Sequence, residues 1–241
     1  MARIILENKA KIDIDVGYLE DVLSYANLPD GSILLVLHDG LLPKNDQGVC
    51  VASQLIHLDP EFCAICRCSN STKWNCCVAI AKKWCTSRNQ FPAYFTYLLG
   101  HEFGHAYVCL SDIALHIHCC LIVDRIIPAS YCEIKFPHEL PNERLFDQFG
   151  KYLALKLHGY KKFVHEINSL KKTANDIERR RLELIQKLSP ERDFNDLRKT
   201  MIDFSKPYKD NLIRSWKRDR NKKGPKSLAS LISDYDELFE Y

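Results

Sequence analysis

The sequence lacks a long hydrophobic run, a strong excess of charge, internal repeats and low-complexity tracts. Its nearest approach to a membrane span is the apolar stretch 119–123, which ends at Asp124 and Arg125, whereas a spanning helix needs ~18 to 20 apolar residues. The 34 Lys and Arg residues nearly balance 31 Asp and Glu residues, and a net charge of +3 is too small to indicate a nucleic acid or an anionic membrane as the partner. These absences predict a soluble, folded protein.

A secretory signal is also missing, because the chain begins Met1-Ala2-Arg3-Ile4 without the apolar stretch that such a signal requires. The eleven cysteines are an odd number, which argues against a disulfide framework. Together these features predict a cytoplasmic protein whose thiols are free or bind metal. Apolar residues make up 46% and charged residues 27% of the 241 positions, as in an ordinary globular protein.

The N-terminal part of the chain combines strand patterns with one helix pattern. The alternation at 11–16 and the apolar stretches at 3–6, 32–37 and 49–58 predict short strands. Apolar residues at three- and four-residue steps over 19–26 predict a helix. We therefore expect a small sheet accompanied by a helix.

The middle of the chain is predicted to be mainly helical. Residues 76–110 have a helical pattern with a break at 89–92, and the apolar segment 112–123 is also predicted as helix. A loop at 128–141 then precedes another helix at 142–157. With the predicted sheet, these helices make the fold class α+β.

The C-terminal part has long charged stretches and is predicted to be a helical extension. Apolar residues recur at alternating steps of three and four over 167–188, and a second amphipathic helix follows Ser189-Pro190, so residues 166–218 form a predicted helical hairpin. An acidic amphipathic helix ends the chain at 228–239.

These patterns divide the chain into an α+β domain at 1–165 and a helical hairpin with an amphipathic tail at 166–241. The C-terminal helices are candidates for self-association. Residues 214–226 contain seven Lys or Arg and one Asp, a composition that fits a solvated helix end and linker better than a nucleic-acid surface. Nucleic acid is therefore not the expected partner.

The strongest functional signal is the motif His101-Glu102-Phe103-Gly104-His105 within apolar, proline-free flanks. Residues four apart share one face of a helix, so both imidazoles could bind one metal ion while Glu102 lies beside the first. Two neutral imidazoles suit Zn²⁺, and Glu102 would take a proton from the attacking water and deliver it to the leaving amine. The competing interpretation is a pair of satisfied core histidines.

A third protein ligand is needed to fix the ion. Position 111, six residues after His105, is Ser, whereas a metzincin would have His there. Glu143 and Asp147 are four residues apart near the start of a predicted helix, so one helix face could present both to the ion. Glu143 could bind the metal, and Asp147 could accept a hydrogen bond from a ligand histidine. The competing interpretations are a first-turn carboxylate that the helix dipole favours and a solvated surface residue.

Other residues could take the remaining roles. The alternatives for the third ligand are Asp112, His116, His118 and Glu133. The oxyanion formed during hydrolysis needs a donor beside the metal, for which the candidates are Tyr107, Tyr131 and His138. A second cluster contains Cys63, Cys66, Cys68, Cys76, Cys77 and Cys85. Its irregular spacing favours free thiols over a structural zinc or a redox function.

The two motifs together resemble those of the gluzincin metallopeptidases, whose second helix has the pattern Asn-Glu-x-x-x-Asp, here Asn142, Glu143 and Asp147. The helix from Glu143 to Ala154 is also similar to the Glu-x-x-Ala-Asn-x-Phe-Ala helix of ImmA/IrrE-type intracellular peptidases. The resemblance covers about residues 50–155 and implies a zincin-like fold with a small mixed sheet, an active-site helix and Glu143 as the third zinc ligand. It further implies cleavage of one or a few regulatory proteins.

The sequence therefore predicts a zinc metallopeptidase in which His101, His105 and Glu143 hold the ion. A protein or peptide substrate would extend along the strand at 49–58. One alternative is another amide hydrolysis such as deformylation, although that family uses a Cys ligand. The other is a binding or regulatory protein with a structural metal site and a partner-binding helical tail, against which the intact Glu102 argues, because a structural site needs no general base.

Overall fold

The structure is a computed structural model that describes residues 2–40, 48–52, 74–112, 141–189 and 193–203. These residues form one sheet and seven α-helices, so the predicted α+β class is confirmed. The strands are β1 (Arg3–Asn8), β2 (Ser32–His38), β3 (Gly48–Ala52) and β4 (Cys76–Ala81). The helices are α1 (Val16–Ala26), α2 (Lys82–Thr86), α3 (Pro92–Ser111), α4 (Pro141–His158), α5 (Tyr160–Lys171), α6 (Asp176–Lys187) and α7, described over 194–203.

The sheet is small and mixed, with the strand order β1-β2-β4-β3. β1 pairs in parallel with β2, and β2 pairs in parallel with β4. β3 runs antiparallel to β4, with Cys50 opposite Val78. Of the strand predicted at 49–58, residues 49–52 lie in β3, and the others are outside the described residues.

The central strands β2 and β4 are buried along almost their whole length, over residues 32–37 and 76–81. A strand that is buried on both faces has a continuous apolar sequence without alternation. Periodicity then does not distinguish it from a buried helix. The prediction of a helix from Cys76 is wrong for this reason, since helical structure begins only at Lys82.

The strand predicted at 11–16 is also wrong, because Val16 begins α1 and the residues before it have no regular structure. The Asn8 side chain donates to the Ile12 carbonyl at 2.6 Å and accepts from the Ile12 amide at 3.2 Å, which holds the turn after β1. Ile12 and Ile14 are half-buried between exposed neighbours. The alternation of apolar and polar residues at 11–16 therefore reflects alternating burial in an irregular segment.

α3 is the central helix of the fold and is buried continuously over residues 93–106. Pro92 occupies its first turn, where the missing N–H has no helical partner in any case. Glu166 of α5 accepts a hydrogen bond from the Tyr94 amide at 2.9 Å. A buried carboxylate thus caps the N-terminus of this helix and complements its dipole.

The predicted break at 89–92 is confirmed, since a 3₁₀ turn at Ser87–Asn89 precedes α3. α3 ends at Ser111, and Asp112 is extended. Residues 113–123 of the predicted helix at 112–123 and most of the predicted loop lie outside the described residues. Within the described segments, no helix combines the length and the apolar character needed to cross a bilayer.

The helix predicted at 142–157 is confirmed as α4, which lies antiparallel against α3. His105 contacts Phe146 near one end of this contact, and Tyr97 contacts Gly150 further along. Glycine allows the close approach, because a methyl group at Gly100 would lie only 2.9 Å from the Gly150 Cα. The first two turns of α4 are therefore held against the histidine motif of α3.

The first helix predicted for the C-terminal extension is two helices in the structure. The pattern at 167–188 is shared between α5 and α6, and the Asn175 side chain accepts from the Glu178 amide in a capping box that starts α6. α5 runs across the predicted domain boundary at 165/166. α7 belongs to the second helix predicted after Ser189-Pro190. Its described part buries Phe194, Leu197 and Met201. The predicted segments beyond 203 lie outside the described residues.

Lys151 attaches α6 to α4. Its buried Nζ donates to the carbonyls of Ile185, Gln186 and Leu188 at 3.1, 3.1 and 2.6 Å. These carbonyls belong to the end of α6, where helical partners are missing. The ammonium therefore caps the helix and complements its dipole, so the extension packs on the helix that contains Glu143.

Candidate metal centre

Two facing helices bring His101, His105 and Glu143 together. The histidines lie one turn apart on α3, and Glu143 lies in the first turn of α4. Their exposed fractions are 3%, 8% and 3%. The three side chains form a buried group that could hold a metal ion.

The distances between the donor atoms match those of a small metal site. His101 Nε2 lies 3.3 Å from His105 Nε2 and 3.3 Å from Glu143 Oε2, and His105 Nε2 lies 3.6 Å from Glu143 Oε1. Zinc binds nitrogen and oxygen at about 2.0 to 2.2 Å, so neighbouring ligand atoms of a tetrahedral site are about 3.3 to 3.6 Å apart. The cluster already has this spacing.

The charge state of Glu143 is compatible with a bound cation. Glu143 Oε1 is buried, and its nearest described donor, His105 Nε2, lies 3.6 Å away, beyond ordinary hydrogen-bond distance. An unpaired buried acceptor costs about 1 to 3 kcal/mol, a cost that a bound cation would remove. Burial raises the pKa of Glu143, but the charges and hydrogen bonds of His105 and His101 outweigh it and hold the pKa well below its usual range. Glu143 is therefore an anion that could bind a metal ion.

Asp147 orients His101. A carboxylate only accepts hydrogen bonds, so His101 Nδ1 donates to Asp147 Oδ1, at 2.8 Å, and Nε2 is the nitrogen that faces Glu143. The Tyr97 hydroxyl donates to the same Asp147 oxygen. Burial lowers the pKa of His101, but the hydrogen bonds to Asp147 and Glu143 and the nearby charges outweigh it and raise the pKa to about 10. Asp147 is thus in the contact predicted for it, and it is buried.

Glu102 is buried beside the ligands, with 5% of its surface exposed. Burial raises the pKa of Glu102, and the charges of His101 and His105 offset part of that increase. A carboxylate whose pKa moves toward neutrality exchanges protons more readily with water at pH 7. The residue predicted as the general base is therefore in an environment that suits this role.

The alternative candidates have other positions. Asp112 lies after the end of α3 and is not a member of the His101, His105 and Glu143 group. The Tyr107 ring contacts Phe149 and Arg198, with centroid distances of 6.3 and 6.0 Å, and none of its described contacts reaches the group. Five further candidates lie outside the described residues: His116, His118, Tyr131, Glu133 and His138.

The described cysteines are buried and form no disulfide: Cys50, Cys76, Cys77, Cys85 and Cys109. Hydrogen bonds from Cys109 and Cys50 lower the pKa of Cys76 to about 5 against the effect of burial. Burial raises the pKa of Cys85 to about 12, and its Sγ donates to the Ile80 carbonyl at 3.4 Å. Of the predicted cluster, Cys76, Cys77 and Cys85 form no disulfide, whereas Cys63, Cys66 and Cys68 lie outside the described residues.

Sequence reasoning missed Tyr97 and Arg181 as neighbours of the centre. Tyr97 is four residues before His101 on the same helix face, so helical spacing could have identified it. Arg181 lies on α6, with its guanidinium 6.0 Å from the centre of the Tyr97 ring. No local pattern predicts that contact, because it depends on how α6 packs.

The comparisons with protein-family models, curated proteins and solved structures found no match to this chain. The chemistry of the centre is therefore argued from its own residues. Two imidazoles and one carboxylate are the protein ligands found in one class of catalytic zinc site, in which a fourth position stays open.

Proposed function

We propose that this protein is a zinc-dependent metallopeptidase whose ion is held by His101, His105 and Glu143. The observation that carries the proposal is the spacing of their donor atoms, 3.3, 3.3 and 3.6 Å, with the buried carboxyl of Glu102 beside them. In its motifs the chain resembles the gluzincins and the ImmA/IrrE-type peptidases. On that resemblance we propose an intracellular enzyme that cleaves one or a few specific proteins.

Different residues of the chain would have different roles in peptide hydrolysis. When bound, zinc supplies Lewis acidity that polarises a carbonyl and makes water more acidic. Glu102 would accept a proton from the attacking water and return it to the leaving amine. Asp147 would keep the Nδ1 proton on His101, so that Nε2 remains a ligand.

The outer edge of β3 is the proposed site for an extended substrate. β3 is the last strand in the sheet order, and among the described residues its pairing is with β4 alone. α3, which contains the histidine motif, contacts β3. A peptide that added to this edge would run beside the candidate centre.

The second candidate function is a non-catalytic regulatory protein whose metal is structural. The low exposure of all three ligands, at most 8%, favours it, because a structural site needs no access for substrate. A buried Glu102 has no role in such a site. Deformylation has less support, because the His101, His105 and Glu143 group contains no Cys ligand.

Elemental analysis and a peptide-cleavage assay on the same preparations test the proposal. The wild type should contain about one zinc per chain and cleave members of a peptide library, detected by mass spectrometry. Glu143→Ala should lose most of the zinc, and Glu102→Gln should keep the zinc but lose cleavage by at least ~100-fold. Glu20→Gln, an exposed change on α1, is the matched control and should change neither property.

Each other outcome has a definite meaning. Zinc in the wild type without cleavage would favour the structural role. Unchanged cleavage in Glu102→Gln would contradict the role of Glu102 as the general base. A wild type without near-stoichiometric metal would contradict both functions. Full zinc retention in Glu143→Ala would show that another residue is the third ligand.

A further inference from the structure

A chain of hydrogen bonds leads from the candidate centre to the C-terminal extension. His101 donates from Nδ1 to Asp147 Oδ1 at 2.8 Å, and the Tyr97 hydroxyl donates to the same oxygen. The Arg181 guanidinium of α6 lies 6.0 Å from the centre of the Tyr97 ring and hydrogen-bonds to the Tyr97 side chain. Since a guanidinium only donates, Arg181 is the donor to Tyr97, and the bonds from His101 and from Tyr97 converge on Asp147.

The direction of these bonds fixes the protonation of each member. Burial, followed by the charge of Asp147, raises the pKa of Tyr97 well above its usual range, although Arg181 opposes this. The tyrosine therefore remains a hydroxyl and donates to Asp147. Burial lowers the pKa of Arg181, but the surrounding Tyr97, Tyr94 and Asp147 outweigh it and raise the pKa. Arg181 is thus a permanent cation next to Tyr97, whose hydroxyl binds the same Asp147 oxygen as His101.

Arg181 adds a positive charge to a region that is rich in buried carboxyl groups. Three buried carboxyl groups, Glu102, Glu143 and Asp147, surround the candidate centre. A divalent ion held by neutral imidazoles would leave one negative charge uncompensated, and a buried unpaired charge is costly. The charge of Arg181 reaches both Asp147 and Glu102.

We infer that Arg181 is a positioning residue of the metal centre, acting through Tyr97 and Asp147 on the orientation of His101. α6 is held in place by the Lys151 contacts to its last turn. The C-terminal extension therefore completes the centre and is not only a docking appendage. This inference rests on the proposed function only in that the group binds a divalent metal.

Metal affinity and a spectroscopic signature test the inference in the full-length protein. Zinc affinity is measured by competition with a chromophoric chelator, and the ligand field is measured from the visible spectrum after cobalt substitution. Arg181→Gln should weaken zinc binding by about 10- to 100-fold and shift the cobalt bands. Arg181→Lys keeps the charge and should recover part of the affinity. Arg180→Gln, an exposed neighbour on α6, should match the wild type.

A double-mutant cycle separates a shared chain of contacts from a general loss of structure. Tyr97→Phe removes the middle hydroxyl and should weaken zinc binding similarly, and the combination with Arg181→Gln should cost less than the product of the single effects. Circular dichroism and thermal unfolding verify that each variant is folded.

The outcomes separate this inference from the proposed function. Zinc binding within about twofold of wild type in a folded Arg181→Gln protein, or fully multiplicative effects in the cycle, would overturn it and leave the peptidase proposal intact. A wild type that binds zinc but cleaves nothing would overturn the peptidase proposal alone. A wild type that does not bind zinc would overturn both.

Discussion

Gly150 of α4 lies directly against the α3 backbone at Tyr97, close to the first histidine of the motif. A methyl group at position 150 would lie 2.8 Å from the His101 amide nitrogen and would also meet the Tyr97 carbonyl. Backbone atoms cannot move aside as a flexible side chain can. The distance between the two helices is therefore set by this glycine, and with it the distance between Glu143 and the histidines.

We expect Gly150→Ala to force α3 and α4 apart. The overpacking should lower the free energy of unfolding by about 1 to 3 kcal/mol, measured by urea denaturation. Because the third ligand moves with α4, zinc affinity should fall as well. Gly40→Ala is the control, since its methyl group would meet only the His38 ring, at 3.4 Å. Equal stability of the two variants would contradict this account of the helix contact.

Asp147→Asn should weaken zinc binding by about 10- to 100-fold. The amide keeps the size of the side chain but removes the negative charge that supports the Nδ1 proton of His101. Chelator competition measures the change. Asp21→Asn removes the same charge from an exposed position of α1 and should have no effect. If the two variants bound zinc equally well, the Asp147 contact would be structural only.

Lys151→Met should destabilise the attachment of α6. It leaves three carbonyl groups at the end of that helix without their ammonium donor, and lost hydrogen bonds to a charged group cost about 1.5 to 3 kcal/mol. Thermal unfolding should show a lower midpoint and limited proteolysis a more exposed α6. Lys156→Met, at an exposed position of the same helix, should behave as wild type, and a similar loss there would argue against the cap.

The buried thiols should resist alkylation in the native protein. Cys76 has a pKa lowered to about 5, so its thiolate fraction at pH 7 is high, but none of its surface is exposed. Access limits the reaction here, because a thiolate reacts only where reagent reaches it. Iodoacetamide labelling followed by peptide mass spectrometry should find Cys76 unmodified until denaturant is added. Rapid native labelling would mean that the β3 edge opens.

The sequence by itself determined the elements with strong local signals. The helix at 19–26 and the helix at 142–157 have clear three- and four-residue periodicity, and both are present in the structure. The candidate ligand residues were proposed from the spacing within each helix, since positions four apart share a face whatever surrounds them. Helical geometry is local, so sequence spacing alone was enough for these residues.

Tertiary structure decided what local pattern leaves ambiguous. Residues 76–81 form a strand because neighbouring strands cover both sides of it, and a continuous apolar sequence is compatible with either element. Residues 11–15 alternate in burial but pair with no strand in the described part of the chain. The approach of Glu143 to the histidines depends on glycines that face each other across two helices, and the contact of Arg181 with Tyr97 depends on how α6 packs. These relationships join residues far apart in the chain, so no local sequence signal encodes them.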